Sequence, residues 1–351
     1  MIFSSWFANN YTMIIVALGA MLLGFASGLL GVFNILKKQA LVGDALSHAT
    51  LPGVVIAFLL TNTRNMVTLL IGASLSALVA MFLINIIKHY SKIKSDASLA
   101  LILSSFFGFG QVLILLAQER GNAAAGLKSF IFGQAATMLK QDVLMIAYLT
   151  IFILLITLLF WKEFKLYIFN DEFFQSLGFS KKITNAMLTF LTILIVVIGI
   201  RTVGVILMSA LLIIPGVAAR QWSNKLSING IIAGFVGMIS GLLGAVISSQ
   251  KTNLPTGPVI VIVLSILVIV SLLFAPKRGI ISKSIKQHKH QKDINKYQEL
   301  ISVFYNPSKD IQLSNDNFLL MENYLIIDGR KNIHITEKGK NKLHQILGGE
   351  H

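Results

Sequence analysis

Apolar residues run almost unbroken through the chain as far as Pro276, interrupted only by short polar clusters. The apolar runs fall at 13–36, 44–60, 66–87, 97–117, 143–160, 184–200, 203–219, 226–249 and 258–274. Most reach the roughly 17–25 residues that a helix needs to cross the hydrocarbon core of a bilayer. The two runs flanking Arg201 lie close enough to merge, so the pattern predicts eight to nine spans. Several runs carry glycines four residues apart: Gly24 and Gly28, Gly230 and Gly234, Gly237 and Gly241. Such pairs let helix backbones approach closely in lipid, either as a fixed contact or as a sliding surface.

Beyond Pro276 the composition turns to Lys, Asn, Gln and His. A basic linker is predicted over 276–292, followed by an amphipathic helix near 294–304. Segments 324–327 and 332–335, separated by Asp328 and Gly329, read as a hairpin with a tight turn. Thr336 suits the N-cap of a last helix running through Ile346. The expected fold class is therefore all-α. It comprises a polytopic transmembrane bundle over 1–275 and a small α+β, winged-helix-like tail over 293–351. The tail is small for independent stability.

Composition agrees with the pattern. A chain of 351 residues with 55% hydrophobic content and a mean hydropathy of +0.75 belongs in a membrane. Cysteine is absent, which excludes disulfides, thiolate ligands and iron–sulfur clusters. The first run lacks a basic leader and is too long for a signal-peptide core, so it is expected as a retained span. Before Pro276 there are 17 Lys/Arg against 7 Asp/Glu, and the remainder holds 13 against 8. Alternate connections carry 11 and 6 basic residues, and positive-inside bias puts the richer side and the tail in the cytoplasm. With nine spans the N-terminus is then outside. The excess charge points to anionic lipid ahead of nucleic acid, which is not an expected partner.

Candidate chemistry is sparse. Only two histidines and seven acids precede residue 276. His89 sits among lysines at a helix end, Asp96 lies just before a helix, Asp142 belongs in a first turn, and Glu119, Glu163, Asp171 and Glu172 are expected in loops. That leaves Asp44 and His48 as the one carboxylate–imidazole pair entering the membrane. Four residues of helix place both on one face, within reach of one divalent cation. Asp44 also suits an N-cap and His48 a core imidazole, but ionisable groups within a membrane are costly and usually functional. Oxygen with imidazole suits manganese, zinc or iron(II). One copy of the chain falls short of a four-ligand site, and a symmetric dimer doubles the set. No P-loop is present. Residues 170–178, with Asp171, Glu172 and Phe173, form a short amphipathic helix that ends at Gly178 and either lies on the membrane surface or seats in a motor protein.

The stretch Leu36-Lys37-Lys38-Gln39-Ala40-Leu41-Val42-Gly43-Asp44-Ala45-Leu46-Ser47-His48-Ala49-Thr50-Leu51-Pro52-Gly53 resembles the signature of the membrane permeases of zinc/manganese/iron ABC importers. Phe130-Ile131-Phe132-Gly133, Val203-Gly204-Val205-Ile206-Leu207 with Ile214-Pro215-Gly216 through Arg220, and Leu254-Pro255-Thr256-Gly257-Pro258 resemble further motifs of the family. The resemblance covers about residues 10–280. It implies a transport subunit, not an enzyme, of a bacterial cytoplasmic membrane, with no permanently bound cofactor. It implies three partners: a second permease copy, a cytoplasmic ATPase and an extracytoplasmic metal-binding protein. Asp44 and His48 would line the ion path, and Asp171, Glu172, Phe173 and Gly178 would match the ATPase-coupling segment. The tail departs from shorter members and leans weakly towards manganese. Other readings are a permease for cobalamin or iron-siderophore, which needs no Asp–His pair, and an ion-gradient-driven carrier, which needs more embedded charge and repeated halves. A membrane-anchored transcription regulator would rest on the tail alone.

Overall fold

The computed structural model describes residues 11–63, 65–118, 138–250, 254–276, 278–305, 318–327 and 333–347. The 130–133 motif, Glu119, the Asp328-Gly329 turn and Asn332 lie outside the described residues. The chain divides into two compact units, Met1–Ala275 and Pro276–His351.

The first unit is helical: α1 (Tyr11–Leu36), α2 (Val42–Thr61), α3 (Met66–Tyr90), α4 (Ser95–Gln118), α5 (Lys140–Leu159), α6 (Trp161–Phe169), α7 (Asp171–Ser176), α8 (Lys181–Val203), α9 (Val205–Trp222), α10 (Leu226–Ser249) and α11 (Thr256–Phe274). Among the described residues nine of these, all but α6 and α7, are long and apolar enough to cross a membrane. The doubtful pair at Arg201 is two helices. Gly204 takes φ 87°, which side chains disfavour, and the chain turns there between α8 and α9.

Helix α1 is the spine, and its interface with α10 is the most extensive in the unit. A methyl group placed on Gly24 would overlap the Gly237 carbonyl, and one on Gly28 the Ala233 carbonyl. Lipid gives helices no hydrophobic incentive to associate, so backbone proximity of this kind supplies the van der Waals contact instead. The glycine pattern is thus a tight packing seam. Helix α2 wedges against α3 and α4, while α9 packs on α1, α10 and α11.

The connection at 161–182 contains α6 as well as the expected short helix, α7, so Glu163 too sits on a helix and not in a loop. The charges at Lys162, Glu163 and Lys165 mask an amphipathic pattern. Its buried side is Phe164, which meets Phe33 of α1 edge-on at 5.8 Å, beside Trp161 at 5.6 Å from the same ring.

The second unit contains α12 (Ile280–Lys296), α13 (Gln298–Tyr305), α14 (Phe318–Met321), β1 (Leu325–Ile327), β2 (Ile333–Ile335) and α15 (Glu337–Leu347). The basic segment read as a linker is mostly helix α12, none of whose residues is buried. Its Lys and Gln residues are good helix formers whose polarity hid the helix from a hydrophobic pattern. The strands pair antiparallel with Leu325 opposite Ile335. Tyr297, Leu300, Val303, Leu319, Leu325, Leu343 and Ile346 form a separate small core. The Thr336 hydroxyl accepts the Gly339 N–H at 3.0 Å, which caps α15.

Candidate metal centre

Helix α2 begins two residues before Asp44, at Val42, so Asp44 is not the N-cap. Leu41 occupies that position without a side-chain cap, and the Ala45 N–H reaches the Leu41 carbonyl at 2.9 Å. The Asp44 carboxylate therefore stays free within the first turn, where the positive end of the helix dipole favours it. Every residue from Val42 to Val55 is buried except Asp44 and His48. Their side chains are 32% and 24% exposed, so the helix has one polar opening in an otherwise closed surface.

The two side chains face each other, with His48 Nε2 3.5 Å from Asp44 Oδ1. Two ligands at about 2.1 Å from an ion at tetrahedral angles are about 3.4 Å apart, so the pair already has the bite of a divalent metal. Phe107 of α4 stands edge-on to the imidazole, ring centroids 4.9 Å apart, and limits how the ring can turn. One turn along α2, Pro52 has no N–H to give the His48 carbonyl, so the helical ladder is interrupted beside the pair. Among the described residues no group of three or more His, Cys, Asp or Glu is assembled. One copy thus offers at most two candidate ligands at this opening, short of a closed four-ligand site.

Two of the other acids, Asp142 and Asp171, have ion-pair partners. Asp142 accepts the Leu139 N–H at 2.9 Å and pairs with Arg201 Nη2 at 2.7 Å, tying α5 to α8. Sequence reasoning had given Asp142 only a dipole role. The Arg201 partner is 59 positions away, and no local signal announces it.

Helix α7 is the short amphipathic segment expected from the sequence, ending at Ser176 with Gly178 at φ 85° just beyond. Asn170 caps it through the Phe173 N–H at 3.0 Å. Phe174 is its anchor, fully buried and stacked on Phe179 at 5.1 Å. Glu172, Phe173 and Leu177 are exposed, which leaves an apolar and acidic outer face. Asp171 pairs with Lys181, and that hydrogen bond holds its carboxyl below the usual carboxylate range.

Behind α7 a polar cleft is floored by Lys37. Its Nζ donates to Asn185 Oδ1 at 2.7 Å and stands 5.7 Å from the centre of the Tyr167 ring. Burial, with the nearby Lys88 ammonium second, lowers Lys37 to about 8. Burial and then the Asp171 charge raise the Tyr167 phenol.

Comparison with known proteins adds an independent line. Residues 9–275 match the sequence profile of the ABC 3 transport family. The zinc transport system membrane protein TroC of Treponema pallidum is 48% identical over 274 residues, covering 78% of this chain and 92% of that protein. The manganese transport system membrane protein MntC of Bacillus subtilis is 40% identical over 290 residues, covering 82% and 67%. Among solved structures, PsaBC from Streptococcus pneumoniae in complex with Fab superposes with a TM-score of 0.67 at 28% identity, covering 79% of this chain and 98% of that one.

Proposed function

The chain belongs to the ABC 3 transport family, and from that premise we propose that it is the permease subunit of an ATP-driven importer of manganese, zinc or iron(II). The observation that carries this reading is the opening at Asp44 and His48, spaced for one divalent ion on a helix otherwise buried from Val42 to Val55. The zinc and manganese systems in which its relatives are named support the choice of cargo.

The ion is cargo, so a partial ligand set is an advantage. Two ligands from each of two permease copies would capture the ion, and loss of one pair would release it. The functional unit in this reading is a pair of permease copies, each bringing its own Asp44 and His48. ATP hydrolysis falls to a separate cytoplasmic ATPase, and delivery to an extracytoplasmic metal-binding protein. The exposed face of α7 around Asp171, Glu172, Phe173 and Gly178 is the surface that meets the ATPase. Its apolar face at Phe173 would seat in a groove as an amphipathic helix does. Positive-inside bias sets α7 and the tail in the cytoplasm of a bacterial cell, with the chain in the cytoplasmic membrane.

Reconstitution tests the reading. Proteoliposomes holding the chain, its ATPase and the metal-binding protein should accumulate metal only with ATP, and Phe173→Asp should lower ATP-driven uptake at least about tenfold by placing a charge in the groove. Uptake by the chain alone, driven by an ion gradient, would identify a secondary carrier instead.

A further inference from the structure

We propose that the cleft floored by Lys37 is a binding site for the phosphate of an anionic phospholipid headgroup. The cleft has a volume of about 630 Å³, bounded by Lys37, Lys38, Tyr167, Asp171, Lys182 and Asn185 among others. That lies within the roughly 300–1,000 Å³ of small-ligand sites.

The cleft holds an unbalanced positive charge. Lys37 finds only neutral partners, the Asn185 amide oxygen at 2.7 Å and the Tyr167 ring. The Tyr167 hydroxyl donates to the same amide oxygen at 3.3 Å and so helps to fix it. Among the described residues no carboxylate lies within ion-pair distance of Lys37, and the acid that borders the cleft, Asp171, is taken by Lys181. Lys88 adds like charge. A partly buried ammonium with no counter-ion is costly, and an anion entering the cleft removes that cost. Lys38 and Lys182 are exposed on the rim, where each supplies further N–H donors. A phosphate has the oxygens to accept from all three.

Position selects the source of the phosphate. Lys37 directly follows the end of span α1 at Leu36, and Lys182 lies in the first turn of span α8. The cleft is thus at the edge of the hydrocarbon layer, at headgroup level, where Trp161 and Tyr167 of α6 also sit as interfacial aromatics do. Lysines at this level attract anionic lipids, each contributing about fivefold in affinity.

Native mass spectrometry of the full chain, released from nanodiscs of equal phosphatidylglycerol and phosphatidylcholine, tests the assignment. Phosphatidylglycerol should be retained preferentially. Lys37→Gln, which keeps a hydrogen bond to Asn185, should lower that retention about fivefold, and Lys37→Arg should largely restore it. Lys94→Gln, a connecting-segment lysine outside the cleft, should leave retention unchanged. Equal retention of the two lipids, or equal losses in Lys37→Gln and Lys94→Gln, would overturn the site. Glycerophosphoglycerol and inorganic phosphate are added in parallel. If either displaces phosphatidylglycerol at comparable concentration, a soluble phosphate is the ligand and the lipid assignment fails.

Discussion

Asp44→Ala and His48→Ala should each abolish metal-dependent growth and uptake while the protein remains at normal levels in the membrane. Both side chains are partly exposed, Asp44 at 32% and His48 at 24%, so truncating them removes less packing than emptying a fully buried position would. Stability should move by no more than about 1 kcal/mol. The transport effect is large because each copy has only two ligands to offer. Losing one leaves the partner pair to hold the ion with water, and affinity at such sites falls steeply with ligand count. The conservative variants sharpen the result. Asp44→Asn keeps shape but loses the anion, and His48→Gln keeps a polar head but loses the ring nitrogen, so both should fail. Uptake in vesicles, with immunoblots of the membrane fraction, provides the measurement. Normal uptake by both alanine variants would remove Asp44 and His48 from the path.

Gly24→Val should prevent accumulation of folded protein. The added Cβ falls on the Gly237 carbonyl, a backbone atom that has no rotamer to escape into. Helix α1 must then lift from α10 along their whole shared seam, where Gly28 meets Ala233 in the same way. Overpacking in ordinary cores costs about 1–3 kcal/mol, and a seam in lipid has no hydrophobic term with which to recover it. Gly108 provides the contrast, because a methyl group there meets nothing within 4 Å. Gly108→Ala should express and elute in detergent as the wild type does. Equal yields of Gly24→Val and wild type would mean that the seam slides and is not a fixed contact.

Hydropathy alone was enough to read the spans everywhere but at Arg201, where the count stood between eight and nine, since a helix crossing lipid must satisfy its backbone internally and cover itself with apolar side chains. The Asp44–His48 pair was legible for a similar reason, because a spacing of four is a local geometric fact in a helix. What surrounds the pair was not legible. Phe107 lies 59 positions from His48, and only the packing of α4 on α2 brings them together. The same holds for Asp142 with Arg201, and for Lys37 with Asn185 across 148 positions. Helices α6 and α12 were missed because their signal is charge or a half-buried face, which a search for uniform apolar runs passes over. Asp44, following Gly43, also suits an N-cap by sequence alone. The helix in fact starts at Val42 and continues through Gly43, whose missing side chain leaves room for Leu212 of α9. That small shift frees the carboxylate for chemistry.

On the proposed path the transported ion touches the His48 imidazole. Manganese(II) is paramagnetic, so pulsed electron paramagnetic resonance of the metal-loaded permease detects a directly coordinated nitrogen. A nitrogen coupling is expected in the wild type, lost in His48→Gln and kept in His89→Gln. A coupling unchanged in His48→Gln would contradict it.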